Sequence, residues 1–255
     1  MSSALKAIEA DRETVLALAR ELDESVWTKA SGCPGWSARD VLSHMACSFW
    51  LAVDPSRLPD PGGLPAERAA DLYVESRRNL THEQIVADYE SVSSKGLEML
   101  AALQDQDVQD VTVPLGDVGT YPAAAIANAF AFEHFVHIRY DLLAPGGPLS
   151  GEAPSDDLRL APTLDWIEAA LPQQNADLLA RMGNAVEINL DGSHGVRGRT
   201  LRIGDSGPAA VAARVSSDPE AFVQWVTQRG TWEALGVQAE GDRSTLEIVR
   251  QFRVF

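Results

Sequence analysis

Lysine is almost missing from this chain of 255 residues: Lys6, Lys29 and Lys95 are its whole complement, and arginine carries the remaining positive charge. With a formal net charge of −16, the chain has no basic stripe to neutralise phosphates, which argues against nucleic acid as a partner. Acidity of this size supports solubility and names no substrate. Long apolar runs are missing too. None approaches the roughly 18 residues that a membrane span needs, so no membrane partner is expected. The N-terminus lacks the positive, then apolar, then small order of a secretory signal, and a cytoplasmic location is the expectation. Cys33 and Cys47 are the only cysteines, too few for a disulfide framework and not spaced as a CxxC pair. Both read as small buried hydrophobes. There is no phosphate-cradling glycine pattern, nucleotide fingerprint, Ser-His-Asp signature or internal repeat.

What is present in the first half is helical pattern. Ile8, Val15, Leu16, Ala19 and Leu22 space an apolar stripe over residues 5–22. After a break at 29–36, Ser37 reads as an N-cap with Asp40 completing a capping box, and this second helix runs to about residue 53. A Pro- and Gly-rich loop covers 55–65, and helix resumes over 66–78. Thr81 caps a helix reaching residue 100 or 103. Residues 107–121 read as a loop or short hairpin, and Pro122 suits the first turn of a helix continuing to about 143.

The Pro- and Gly-rich stretch 144–154 is the clearest linker, so the expected domains are 1–145 and 155–255. Four main helices in series imply a bundle in the first. The second reads as a smaller α+β domain. Its pattern is a helix over 156–179 interrupted at Pro162 and Pro172, then strands at 185–190, 200–203 and 209–215. Asp218 caps a helix containing Phe222, Trp225 and Val226 that should stop at Gly230, and a last helix spans 244–252.

Turning each residue by about 100° puts Val41, His44, Met45 and Ser48 on one face of the second helix. The same operation on the fourth main helix aligns Ile126, Phe130, Glu133, His137 and Tyr140, with His134 pointing elsewhere. A carboxylate and an imidazole four residues apart can reach one point. A buried carboxylate must be protonated, paired or coordinated. One Glu and two His form a sensible donor set for zinc, nickel or a similar ion, with positions left open for thiol or substrate. The spacing admits a second reading, in which Glu133 and His137 are a solvated i,i+4 pair and His44 a hydrogen-bonded core histidine. Trp36 reads as a core plug before a ligand platform, Arg77 and Arg78 as exposed helix charge, and His82 and His194 fall in loop contexts.

The segment Cys33-Pro-Gly-Trp-Ser-Ala-Arg-Asp-Val-Leu-Ser-His44 resembles the Trp-x-x-x-Asp-x-x-x-His helix of the DinB-like superfamily. More closely, it resembles the N-terminal domain of mycothiol-dependent maleylpyruvate isomerases. Glu133-His-Phe-Val-His137, followed by Asp141 and Leu142, is similar to that family's second metal-binding element. Residues 218–230 and 237–242 resemble its C-terminal α+β domain.

The resemblance implies a DinB-like four-helix bundle followed by a smaller α+β domain, with His44, Glu133 and His137 as ligands of a divalent metal. Zinc is the first expectation, with nickel or iron as alternatives, and mycothiol is the thiol cosubstrate. It further implies Arg229 as a catalytic arginine able to clamp a substrate carboxylate. Here the chain departs from the pattern, because Gln228 stands where the family has glycine, and Arg229 read alone is a surface cation at a helix end. The implied activity is that of an S-transferase or cis–trans isomerase, whose metal-activated thiolate attacks a small-molecule electrophile. The alternative is a non-catalytic binding or regulatory module that retains the fold. Oligomeric state is left open.

Overall fold

Three hydroxyl side chains start the three long helices of the first half of the chain. Ser2 Oγ accepts from the Leu5 N–H at the head of α1 (Ser3–Glu21). One short turn, α2 (Glu24–Trp27), precedes α3 (Ala38–Val53). At its start Ser37 and Asp40 exchange side-chain-to-backbone bonds of 3.2 and 2.9 Å. Beyond the Pro-rich loop lies α4 (Ala66–Ser76), and Thr81 with Gln84 repeats the capping box at α5 (His82–Ala102). Each reciprocal pair satisfies two N–H groups that a helix start otherwise leaves without partners.

The computed structural model describes residues 2–108, 110–204 and 211–255, which divide into two units, 1–154 and 155–255. The first is a bundle. A hairpin, β1 (Thr112–Pro114) and β2 (Thr120–Pro122), interrupts it after α5. Pro122 closes this hairpin and does not open the next helix as expected, because the strand pairing continues past it through the Ala123 N–H to the Val111 carbonyl. A 3₁₀ turn then leads into α6 (Ile126–Val136), which is followed by a π-helical turn over His137–Leu142. The Leu143 N–H reaches back five residues to the Ile138 carbonyl at 3.0 Å.

Ile8, Val15, Leu42, Phe49, Tyr89 and Phe135 are buried in the core of the bundle. Helices α3 and α5 pack closely at Gly96, where a Cβ would collide with the Phe49 ring. A bidentate ion pair, Arg139 to Asp11 at 3.0 Å for both bonds, ties the π turn to α1 with both side chains buried. The linker segment packs back on this unit: Leu149 is buried and its N–H bonds the Leu142 carbonyl. No helix of the described residues is long and apolar enough to cross a membrane.

The second unit is α+β. Helix α7 (Asp157–Gln174) runs unbroken through Pro162 and Pro172, contrary to expectation. Each proline removes one donor, but Leu160, Leu164, Ile167 and Leu171 form a buried stripe that outweighs the loss. After α8 (Ala176–Met182) come β3 (Ala185–Leu190), β4 (Arg199–Ile203) and β5 (Val211–Ser217). The expected third strand began at residue 209, and residues 209 and 210 lie outside the described ones. Asp218 caps α9 (Pro219–Val226). The chain ends with β6 (Gln238–Gly241) and α10 (Arg243–Val249). Strand order is β4-β3-β5-β6, with β3 and β5 parallel and the outer pairings antiparallel.

Gln228, not Gly230, takes the left-handed position that ends α9, at φ 62°. The Arg229 N–H closes this end on the Gln224 carbonyl at 2.8 Å. The Gln228 amide offsets the backbone cost by bonding the Phe252 carbonyl at 3.0 Å.

Candidate metal centre

Helix α3 and the end of α6 bring three donor groups together within the first unit. The ligand atoms offered by His44, Glu133 and His137 all lie within 4.8 Å of one another. His44 Nε2 is 3.2 Å from Glu133 Oε1, and the rings of His44 and His137 meet edge to face with centroids 5.0 Å apart. Ser48 Oγ donates to the same Glu133 oxygen through a short bond. Donors about 2.0–2.2 Å from a tetrahedral zinc stand about 3.3–3.6 Å apart, so the His44–Glu133 separation already suits such an ion.

Electrostatics favour an ionised Glu133. Burial pushes its carboxyl up, but the hydrogen bond from His44 and the imidazoles of His44, His134 and His137 outweigh burial and hold it below the ordinary glutamate value. His137 is oriented from behind: its Nδ1 lies 2.8 Å from Asp141 Oδ2, one helical step along the π turn. Asp141 is fully buried. An Nδ1–H donated to that carboxylate leaves the Nε2 lone pair for a ligand, the usual outer support of a metal-binding histidine. His44 has no equivalent, since its buried Nδ1 finds no hydrogen-bond partner among the described residues.

The turn before α3 closes one side of the cluster. Gly32 allows this, because a Cβ there would lie 2.6 Å from the Tyr140 carbonyl oxygen and 2.8 Å from Asp141 Oδ1. Its N–H bonds the Asp141 carbonyl at 2.9 Å. Cys33 was expected to be a buried hydrophobe, yet it is half-exposed and its Sγ stands 3.9 Å from His137 Nδ1. With His137 and Asp141 it forms a second, overlapping group of donor atoms. Helical periodicity could not reveal it, because Cys33 sits on a turn. Cys47 does follow expectation: it is buried, and burial pushes its thiol up to about 12.

Trp36 is not the expected core plug. It is half-exposed, donates Nε1–H to Asp71 Oδ1 at 3.1 Å, and places its ring 5.0 Å from that of His44. Arg77 is likewise not exposed helix charge: it turns inward to Ser43 Oγ at 3.0 Å and to Asp88 at 2.5 Å. Arg78 stays at the surface.

The remaining histidines have structural partners. His134 is fully buried, lies between the Tyr89 hydroxyl (2.9 Å) and the Phe130 carbonyl (2.8 Å), and burial holds its pKa below the ordinary value. His82, expected in a loop, opens α5 and stacks on Trp27 with centroids 4.9 Å apart. His194 lies in a 3₁₀ turn of the second unit, 3.0 Å from Asp218. Arg229 also belongs to the second unit, where its guanidinium bonds the Thr227 carbonyl at 3.1 Å at the end of α9.

The family model described as the mycothiol maleylpyruvate isomerase N-terminal domain matches residues 8–142, more than half of the chain and a span that includes His44, Glu133, His137 and Asp141. Among solved structures, the chain is similar to a crystal structure of the mycothiol-dependent maleylpyruvate isomerase, with TM-score 0.61, 15% identity and 95% of each chain covered. A histidine-to-alanine mutant of that isomerase is similar with TM-score 0.59, the same identity and the same coverage. At this identity the likeness speaks for the fold, and it extends across both units. No curated protein matches the chain.

Proposed function

Because the chain belongs to the mycothiol maleylpyruvate isomerase N-terminal domain family, we propose that it is a metal- and mycothiol-dependent enzyme acting on an electrophilic small molecule. Isomerisation of a cis double bond, as in maleylpyruvate, is the first reaction to test. The observation that carries this reading is the convergence of His44, Glu133 and His137 within 4.8 Å, with Asp141 behind His137. Two imidazoles and a carboxylate fit a divalent ion of the borderline class, zinc first, with nickel or iron as alternatives. Such an ion, when bound, supplies the Lewis acidity that ionises a thiol at neutral pH.

The chain's own residues do the rest. Glu133, ionised and bonded by Ser48 and His44, contributes the one negative charge of the ligand set. Asp141 fixes the tautomer of His137. Trp36 places its indole beside the His44 ring. The family resemblance implies Arg229 as the residue for a substrate carboxylate, a group that a planar guanidinium can grip with two parallel bonds. The same residues would serve an S-transferase if the thiol adduct persisted, and the isomerase reading is preferred because both solved relatives carry that name.

The test combines elemental analysis with turnover. About one metal ion per chain is expected, lost in His44→Ala and Glu133→Ala, with conversion of maleylpyruvate to its trans isomer only when metal and mycothiol are both present. An accumulating S-conjugate would make the protein a transferase. No bound metal after reconstitution, or turnover without thiol, would overturn the reading.

A further inference from the structure

We propose that a cavity beside the metal centre seats the polyol portion of the thiol cosubstrate, an inference that rests on the thiol-dependent reading above. This cavity is a cleft open to solvent, with a volume of about 360 Å³, lined by the turn 34–36 before α3 and by Asp71, Leu72, Glu75 and Arg78 from α4 and its end. It lies wholly within the first unit. Trp36 joins it to the centre, because the indole that lines the cavity also stands 5.0 Å from the His44 ring. A ligand whose thiol reaches the metal ligands therefore has this cavity as a neighbouring place for its other end.

The lining chemistry selects among ligand classes. Asp71 and Glu75 are one turn apart on α4, so their carboxylates share a face. Two carboxylates disfavour a free anion, while Pro34, Trp36 and Leu72 add apolar surface beside the charged groups. A sugar or cyclitol hydroxyl both donates and accepts, which suits carboxylate acceptors placed next to a guanidinium donor. The half-exposed indole offers a flat apolar face to the C–H side of such a ring. Mycothiol has this composition: its cysteine thiol is carried on a polyol of glucosamine and inositol. The volume, at the small end of ligand sites, accommodates a saturated six-membered ring.

The cavity is also braced. Asp71 accepts from Trp36 Nε1 at 3.1 Å and from Arg68 at 3.0 Å. Arg78 pairs with Glu75 at 2.6 Å and donates to the Gly35 carbonyl at 3.1 Å, linking the end of α4 to the turn that carries Trp36. Holding these groups before ligand arrives lowers the ordering cost of binding.

Calorimetric titration of the metal-loaded protein with two probes tests the proposal: mycothiol, and N-acetylcysteine, which keeps the thiol and amide but lacks the polyol. Glu75→Ala, an exposed helix substitution, and Trp36→Leu are each expected to weaken mycothiol binding about tenfold, the scale of one lost charged hydrogen bond or ring contact. N-acetylcysteine should bind Glu75→Ala as it binds the parent, while Trp36→Leu, which also borders His44, is read by its mycothiol affinity alone. Unchanged mycothiol affinity in both variants would overturn the subsite alone. So would an equal loss for both thiols in Glu75→Ala, which would place the effect at the metal end. If the parent binds neither thiol, the subsite falls together with the proposed function.

Discussion

Replacing Asp141 by asparagine removes the anionic partner of His137 Nδ1 and leaves all three proposed ligands in place. The bond is 2.8 Å long and its acceptor is fully buried, so water has no room to take over the role. Loss of an outer carboxylate of this kind lowers metal affinity about 10–100-fold, which corresponds to about 1.4–2.8 kcal/mol. Asparagine keeps an acceptor oxygen but not the charge, so the expected loss lies near the tenfold end. Alanine, which keeps neither, should approach the hundredfold end. The bond from the Gly32 N–H goes to the Asp141 backbone carbonyl, so the neighbouring turn keeps its anchor in either variant. Competition for zinc against a chromogenic chelator at neutral pH measures the affinity, with thermal unfolding of the metal-free proteins as the control for folding. Unchanged affinity would refute the orienting role. A complete loss shared by Cys33→Ser but not by His44→Ala would refute it differently. The ion would then sit on the overlapping group of Cys33, His137 and Asp141.

Other expectations concern stability. Burial holds the His134 pKa below the ordinary histidine value of about 6.5, so the folded state resists a proton that the unfolded state accepts. The stability this brings is present above about 6.5 and is lost as pH falls through the folded pKa; thermal unfolding of the metal-free protein should show a decline that His134→Gln flattens. Gln228→Ala keeps the left-handed backbone and loses the bond to the Phe252 carbonyl, lowering stability in urea by about 1 kcal/mol. Gln228→Gly should recover about 1 kcal/mol relative to alanine, since glycine accepts positive φ freely. Arg139→Met takes the bidentate guanidinium away from the buried Asp11 carboxylate and should cost about 3 kcal/mol in denaturant unfolding, most of it regained in the double variant with Asp11→Leu.

How much of this was legible in the sequence depended on how local each cause is. Both capping boxes join residues three apart, and Glu133 and His137 are neighbours on one helix, so spacing alone was enough to single them out. The path of α7 through two prolines was hidden, because the buried stripe that sustains it draws its energy from other elements of its unit. The π turn carries no periodic signature: the apolar spacing before it continues smoothly, and the five-residue reach of the bond from Leu143 to Ile138 shows only in the backbone. Cys33 and Trp36 were misread for a related reason. Both lie on a turn, and their roles follow from where that turn is pressed, not from any face they share. Gly32 decides that position, because no larger residue could bring the turn so close to Tyr140 and Asp141. A glycine required for close approach, with no positive φ to mark it, looks like any loop glycine until its neighbour across the fold is in place. Helix geometry thus singled out His44, Glu133 and His137 as candidate ligands without deciding between a metal site and a bland pairing, a choice the family resemblance made, while the residues around them depended on two distant segments meeting at one glycine.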